Sequence, residues 1–220
     1  RDLAYHTPNL DKEIVQKYDI RGRYHINLFD KDAYLIGNSL AGYLLSLNQK
    51  HQTKTVVIGH DCRESASSLK KALIEGLTDR GFTIIDLGMV SSPLVNTCVL
   101  NPDAYALPCP VEAGVIITAS HNPACYNGFK ITLQNGLPLF GDELASLCSF
   151  ASFEFSPSPL SPLSYHPPRP IEEMYCDFLL STIKQELSFL ENKKIIWDVG
   201  NGACGKILKT LIKKLPGSHL

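Results

Sequence analysis

Neither sign of charge dominates this sequence: 21 lysines and arginines stand against 22 aspartates and glutamates, for a formal net charge of -1. A chain so balanced has no basic footprint, so neither nucleic acid nor an anionic membrane surface is expected as a partner. No apolar stretch approaches the ~20 residues that cross a bilayer; the purely aliphatic runs are short pieces such as Val56-Val57-Ile58. The opening residues Arg1-Asp2-Leu3-Ala4-Tyr5-His6 lack the apolar core of a signal peptide and include no initiating Met, so a trimmed or incomplete start is expected. The seven cysteines, at 62, 98, 109, 125, 148, 176 and 204, form no C-x-x-C pair, which excludes the usual spacing of zinc and dithiol redox sites. Their odd number points to reduced thiols in a cytoplasmic protein.

What is present is a foldable α/β pattern. With 220 residues, 44% of them apolar and 20% charged, the chain is long enough for one large or two modest domains, each with its own core. Leu40, Tyr43, Leu44 and Leu47 share the i, i+3, i+4, i+7 face of a helix, and Asn38 and Ser39 are placed to cap it. Residues 55–59 (Thr-Val-Val-Ile-Gly) are a β-branched run suited to a strand buried on both faces. A helix carrying Leu69, Leu73, Gly76 and Leu77 follows, then a strand over 82–87, completing a βαβ unit. In such a sheet the loops after the strands lie on the ligand-binding edge, which puts residues 60–65 there.

Pro93 suits the first turn of a third helix beginning at Ser92, and a strand follows over 113–118. Residues 129–133 alternate as another strand, Asn135-Gly136 reads as a tight turn, Leu137-Pro138-Leu139 as the returning arm, and 142–150 as a closing helix. Residues 156–170 contain six prolines and four serines in fifteen positions, which disfavours helix and internal strand alike and marks a linker. Beyond it come a long amphipathic helix (Ile171 to Leu190), a strand over 195–199 and a further helix carrying Ile207, Leu208, Leu211, Ile212 and Leu215. The expected organisation is therefore a unit over 1–155, the linker, and the start of a second α/β unit over 171–220. The fold class is α/β, a mixed and mainly parallel sheet sandwiched by helices.

The segment with the most chemistry is Thr118-Ala119-Ser120-His121-Asn122-Pro123, followed by Tyr126-Asn127-Gly128-Phe129-Lys130. No Gly-x-Ser-x-Gly is present, and a serine next to a histidine in sequence is not by itself a nucleophile and base. A hydroxyl at a strand end, with amides and a lysine close by, suits phosphoryl transfer instead. A phosphate carries about two negative charges near neutral pH, and its transfer depends on positioning and on cations that offset charge on the moving group.

These residues resemble the active-site signature of the α-D-phosphohexomutases, the phosphomannomutase/phosphoglucomutase family. Other segments agree in order. Tyr18-Asp19-Ile20-Arg21-Gly22 resembles the family's N-terminal Tyr-Asp-Ile-Arg-Gly, and Gly59-His60-Asp61-Cys62-Arg63 resembles its Gly-Arg-Asp-x-Arg loop. Gly88 to Pro93 resembles its Gly-x-x-x-Thr-Pro turn with serine for threonine, and Asp198-Val199-Gly200-Asn201-Gly202-Ala203 the opening of its second domain. The resemblance implies a four-domain protein that moves phosphate between the 1 and 6 oxygens of a hexose through a phosphoserine and a hexose 1,6-bisphosphate intermediate, with Mg2+ at the phosphoserine. By the same resemblance Ser120 carries the phosphoryl group and is the one magnesium ligand supplied here, through its phosphate. Arg21 and Lys130 hold or relay protons, His121 lines the site, and Tyr18, Arg63 and Asn122 contact the small-molecule hexose phosphate.

On residue type alone, Arg21 and Arg63 also fit solvated surface charges, Tyr18 a core residue with a wet hydroxyl, and His121 a residue that simply turns the loop. His60 stands where the family has arginine. The family's Asp-Gly-Asp-Gly-Asp metal loop, with the hard oxygen ligands magnesium takes, does not occur. The chain is therefore expected to be an N-terminal piece with little activity of its own. The alternative is a noncatalytic truncated relative that binds phosphosugar or a partner. Gly200-x-Gly202-x-x-Gly205 also fits the dinucleotide fingerprint, which makes a nicotinamide-linked enzyme the remote alternative; a tight turn and close helix packing explain those glycines as well.

Overall fold

The computed structural model describes residues 10–47, 53–107, 110–151, 167–183 and 187–220. Its centre is strand β2 (Thr55–His60), which pairs in parallel with β3 (Thr83–Met89) on one side and β4 (Ala113–Ile117) on the other. Strand β5 (Tyr126–Leu133) runs antiparallel to β4, and β1 (Ile20–Arg23) runs antiparallel to β5, giving the order β1-β5-β4-β2-β3. The sheet is thus mixed as expected, parallel in one half and antiparallel in the other. Strand β1 is an addition to the expected elements, since the Tyr18-to-Gly22 stretch carries a motif but too short an apolar pattern to announce a strand.

Both faces of the sheet are covered, which is why β2 is apolar without alternation. Val56, Ile58, Ile84, Val115 and Ile117 pack into one core with helices α1 (Asp30–Leu47) and α2 (Ala66–Thr78). The intervening Val57, Ile85 and Ile116 enter a second core with α3 (Ser92–Leu100). Helix α1 begins eight residues before the expected caps, and Asn38 and Ser39 lie buried in its middle. Burial against α2 overrides their capping preference, and the first turn is tied instead by the Phe29 N–H donating to Asp32 Oδ2 at 2.8 Å.

The Asn135-Gly136 turn forms as read: Gly136 has φ +81°, and the Leu139 N–H donates to Ile131 O at 2.9 Å on the returning arm. The expected helix over 142–150 is shorter, α4 (Gly141–Ala145) followed by one 3₁₀ turn, Leu147–Phe150. The linker falls largely outside the described residues.

After it, α5 (Ile171–Thr182) places Ile171, Met174, Tyr175 and Cys176 in the same core as α3, so this helix covers the first sheet. The expected strand over 195–199 is reduced to β6 (Lys194–Ile195), whose partner is the two-residue β7 (Ser218–His219) in parallel register. Ile196, just beyond β6, is 78% exposed. Helix α6 (Gly205–Leu211) lies between β6 and β7. Gly200 takes φ +52°, a left-handed conformation that favours glycine, but among the described residues nothing lies within 4 Å of a Cβ at Gly205, so close helix packing does not explain that one.

Candidate active site

Because β2 and β4 are parallel neighbours with His60 opposite Ile117, their following loops leave the same edge of the sheet. The Asp61 N–H donates to Ile117 O at 3.0 Å, continuing the ladder into the loops. Ser120 sits just beyond, exposed, with φ +55°. A non-glycine residue in this left-handed region costs about 1–3 kcal/mol and persists only where neighbours over-determine it.

The neighbours are specific. The Ser120 N–H donates to Thr118 Oγ1 at 2.9 Å, and the Thr118 hydroxyl donates to Asp61 Oδ2 at 2.7 Å. The Ser120 carbonyl accepts from Arg63 Nη2 at 2.9 Å. Arg63 also donates from Nη2 to Asn122 O at 2.8 Å, from Nη1 to Pro123 O at 2.7 Å and Tyr126 O at 2.9 Å, and from Nε to Asp61 Oδ2 at 3.0 Å. A guanidinium has five N–H groups, so every donor of Arg63 is engaged with Asp61 or the loop backbone. Arg63 faces the loop, and with its side chain 9% exposed it is no solvated surface charge.

A second cluster stands next to this loop. Lys130 Nζ and Arg21 Nη2 both donate to Asp19 Oδ2 at 2.6 Å, and Arg21 Nη1 donates to Asn122 Oδ1 at 2.9 Å. Arg21 is thereby tied to the serine loop, two residues from Ser120. Strand geometry explains Lys130: its neighbours Phe129 and Ile131 enter the first core, so Lys130 emerges on the opposite face. Burial pushes the Asp19 carboxyl up, but the hydrogen bonds and charges of Lys130 and Arg21 outweigh it and hold the group below the ordinary aspartate value.

A cavity of about 700 Å³ opens over this cluster, lined by Tyr18, Asp19, Arg21, Arg23, Asn122 and Lys130 among others. Tyr18 is 57% exposed and stacks at 6.1 Å on Phe140, so it is not a core residue. His121 Nδ1 lies 3.3 Å from Ser120 Oγ, long for a hydrogen bond from a hydroxyl. His60 turns its Nδ1 to the Asp61 carbonyl at 2.8 Å, and Asn127 is buried, donating to Ser65 Oγ at 2.8 Å. The structure thus brings Arg21, Asn122, Lys130 and Tyr18 to one cavity, with Ser120 and His121 on the adjoining loop.

Asp19, Asp61 and Thr118 receive no role from the sequence although all three lie inside the quoted motifs. Their signal is weak because an acid or a threonine beside a phosphate-handling motif has no obvious part until its partners are visible. Among the described residues no group of three or more His, Cys, Asp or Glu side chains is placed to hold a metal ion. Magnesium takes several oxygen ligands, so these residues do not by themselves fit the magnesium site the resemblance implies; the serine loop contributes at most the oxygens of Ser120.

Residues 12–152 match the family described as phosphoglucomutase/phosphomannomutase, alpha/beta/alpha domain I. The chain is 31% identical over 200 residues to a phosphomannomutase of Salmonella typhimurium, covering 90% of this chain and 40% of that protein. A phosphoglucosamine mutase of Dictyoglomus turgidum is 30% identical over 199 residues, covering 89% of this chain and 42% of that protein. Among solved structures, a phosphoglucomutase/phosphomannomutase family protein from Burkholderia thailandensis superposes with a TM-score of 0.78 at 27% identity, over 96% of this chain and 44% of that one. The chain therefore spans about two fifths of the length of these relatives. With the domain I match covering the sheet, the serine loop and the Asp19 cluster together, this chain belongs to the phosphoglucomutase/phosphomannomutase family.

Proposed function

We propose that this chain is the phosphoserine-bearing part of a phosphohexomutase that moves a phosphoryl group between the 1 and 6 oxygens of a hexose in carbohydrate metabolism. The observation that carries the reading is the Arg21–Asn122 hydrogen bond, which joins the exposed, conformationally constrained serine to a cavity holding a cation pair. In the proposed cycle phospho-Ser120 passes its phosphoryl group to the free hydroxyl of a hexose phosphate: the bond from phosphorus to Ser120 Oγ breaks, the bond from phosphorus to the sugar oxygen forms, and the sugar hydroxyl gives up its proton. Ser120 Oγ then attacks the other phosphoryl group of the bisphosphate, and the sugar oxygen released there is protonated. Lys130 and Arg21 offset the charge on the transferring group and hold or relay the protons. Tyr18 and Asn122 contact the hexose phosphate and His121 lines the serine loop.

Magnesium, when bound at the phosphoserine, would add further positive charge to the transferring group; Ser120, through its phosphate, is the ligand these residues would supply. Mutase turnover is likewise proposed for the full-length protein, and phosphoryl acceptance at Ser120 for this chain. A cytoplasmic setting accords with the six described cysteines, all free, and no described helix is long and apolar enough to cross a membrane.

The test is the intact mass of the 220-residue chain before and after incubation with Mg2+ and glucose 1,6-bisphosphate. A gain of one phosphoryl group that Ser120→Ala abolishes is the expected result. Equal gain in Ser120→Ala removes Ser120 as the acceptor, and no gain in either protein means that this chain does not accept the phosphoryl group by itself, which favours the noncatalytic reading of the chain.

A further inference from the structure

We infer that Arg63, with Asp61 and Thr118, is a positioning device that holds Ser120 in its left-handed conformation with the hydroxyl out in solvent. The inference deepens the phosphoryl-acceptor reading of Ser120 and rests on it for its functional meaning, though the geometry is independent of it.

The peptide groups on both sides of Ser120 are clamped by one network. Its N–H is held through Thr118 Oγ1, and its carbonyl directly by Arg63. Asp61 Oδ2 is the junction, accepting from the Thr118 hydroxyl and from Arg63 Nε. Fixing the groups on either side of a residue fixes its φ and ψ, which is what a strained residue needs to persist. The same guanidinium reaches Asn122, Pro123 and Tyr126, so it spans the loop from the serine to the start of β5. A planar fork with five donors suits this task; an ammonium, with three donors on a flexible stem, does not.

The charge arrangement agrees. Arg63 and Asp61 neutralise one another in a site where their side chains are 9% and 16% exposed, and no N–H of Arg63 remains for an incoming anion. A phosphate could engage Arg63 only by displacing loop carbonyls, which would release the conformation that presents Ser120. Arg21 and Lys130, by contrast, line the open cavity. The two sets of cations therefore divide the work: one pair faces the ligand, and Arg63 faces the loop.

The experiment follows amide hydrogen exchange in the peptide covering 119–127, together with the rate of phosphoryl gain from glucose 1,6-bisphosphate, in wild type, Arg63→Lys and Arg63→Ala. Loss of these charge-assisted hydrogen bonds is expected to speed exchange in this peptide by at least about tenfold in both variants while α1 and α2 peptides stay unchanged. Phosphoryl gain should slow in parallel, and millimolar guanidinium ion should restore both readouts in Arg63→Ala, which a general loss of structure would not allow. Should Arg63→Ala not fold, Thr118→Val replaces it, with Thr118→Ser as the variant that retains the hydroxyl and rescues. Unchanged exchange, or an Arg63→Lys variant that matches wild type in both readouts, overturns the inference. A wild type that exchanges slowly yet gains no phosphoryl group refutes the acceptor reading while leaving the clamp intact.

Discussion

Lys130 Nζ and Asp19 Oδ2 meet at 2.6 Å although 111 residues separate them in sequence. The pair joins the residue just before β1 to β5, and Arg21 leans on the same oxygen. Replacing Asp19 by asparagine leaves two cations sharing a part-buried neighbourhood with no anion between them. The expected loss of stability is about 1–3 kcal/mol, below the ~3–5 of a fully buried broken pair and above the ~0–1 of an exposed one. The pH dependence has a definite sign. Asp19 titrates lower in the folded chain than its ordinary value of 3.8, so its contribution is fully present above that value and is lost as pH falls through the lower folded one. Urea unfolding of wild type and Asp19→Asn should therefore differ at pH 7 and converge in strong acid; a gap that persists or widens there would contradict the assignment.

The crossing of α1 and α2 rests on two glycines. A Cβ at Gly76 would stand 2.1 Å from the Tyr34 carbonyl oxygen, and one at Gly37 would stand 2.3 Å from that of Leu73. Helix propensity alone favours alanine over glycine by ~1 kcal/mol, but here the neighbouring atoms are backbone and can yield only by moving a helix. Overpacking of this kind costs about 1–3 kcal/mol, occasionally more. Each of Gly37→Ala and Gly76→Ala should thus lower the melting temperature, and a rise in either would show that the helices have room to part.

Thiol accessibility provides a separate check on the packing. Cys62, Cys125 and Cys204 are exposed, whereas Cys98 and Cys176 are buried. Burial pushes the Cys98 thiol up to about 12, so it is protonated and unreactive at pH 8. Brief treatment with iodoacetamide at that pH should modify the peptides carrying the first three cysteines and leave those of Cys98 and Cys176 unmodified until denaturant is added. Early labelling of Cys98 would mean that α3 does not lie against the sheet as described.

Much of this is legible because period and chemistry coincide in the sequence. The run Thr55-Val56-Val57-Ile58 announces a doubly covered strand, Asn135-Gly136 announces its turn, and Ser120, Arg21 and Lys130 lie in motifs whose residue types suit phosphate. The misread parts depend on distant partners. Asn38 and Ser39 look like caps until α2 is seen to bury them, and residues 195–199 look like a core strand until the single short neighbour β7 is seen. Asp19 and Asp61 escape notice because an acid is the wrong sign for phosphate; only the fold shows that one balances the cavity's cations and the other anchors Arg63.

The seating of α5 decides whether the residues after the linker melt independently. Met174 is 6% exposed and Tyr175 is equally buried, both within the core formed by Val57, Ile85, Leu94 and Val95, and Ile207 of α6 reaches the same cluster. The chain's only tryptophan, Trp197, lies between β6 and α6 and donates from Nε1 to His219 Nδ1 at 3.1 Å, so its fluorescence reports on the C-terminal elements. Far-ultraviolet circular dichroism is dominated by the helices of the larger unit. Shared burial predicts that the two probes follow one urea transition, as cooperative unfolding requires. Met174→Ala should then shift both probes together, by about 2–5 kcal/mol for a buried methionine truncated to alanine. A fluorescence transition that moves alone, or that precedes the circular dichroism transition in wild type, would mean that α5 and α6 are only loosely docked on the first sheet.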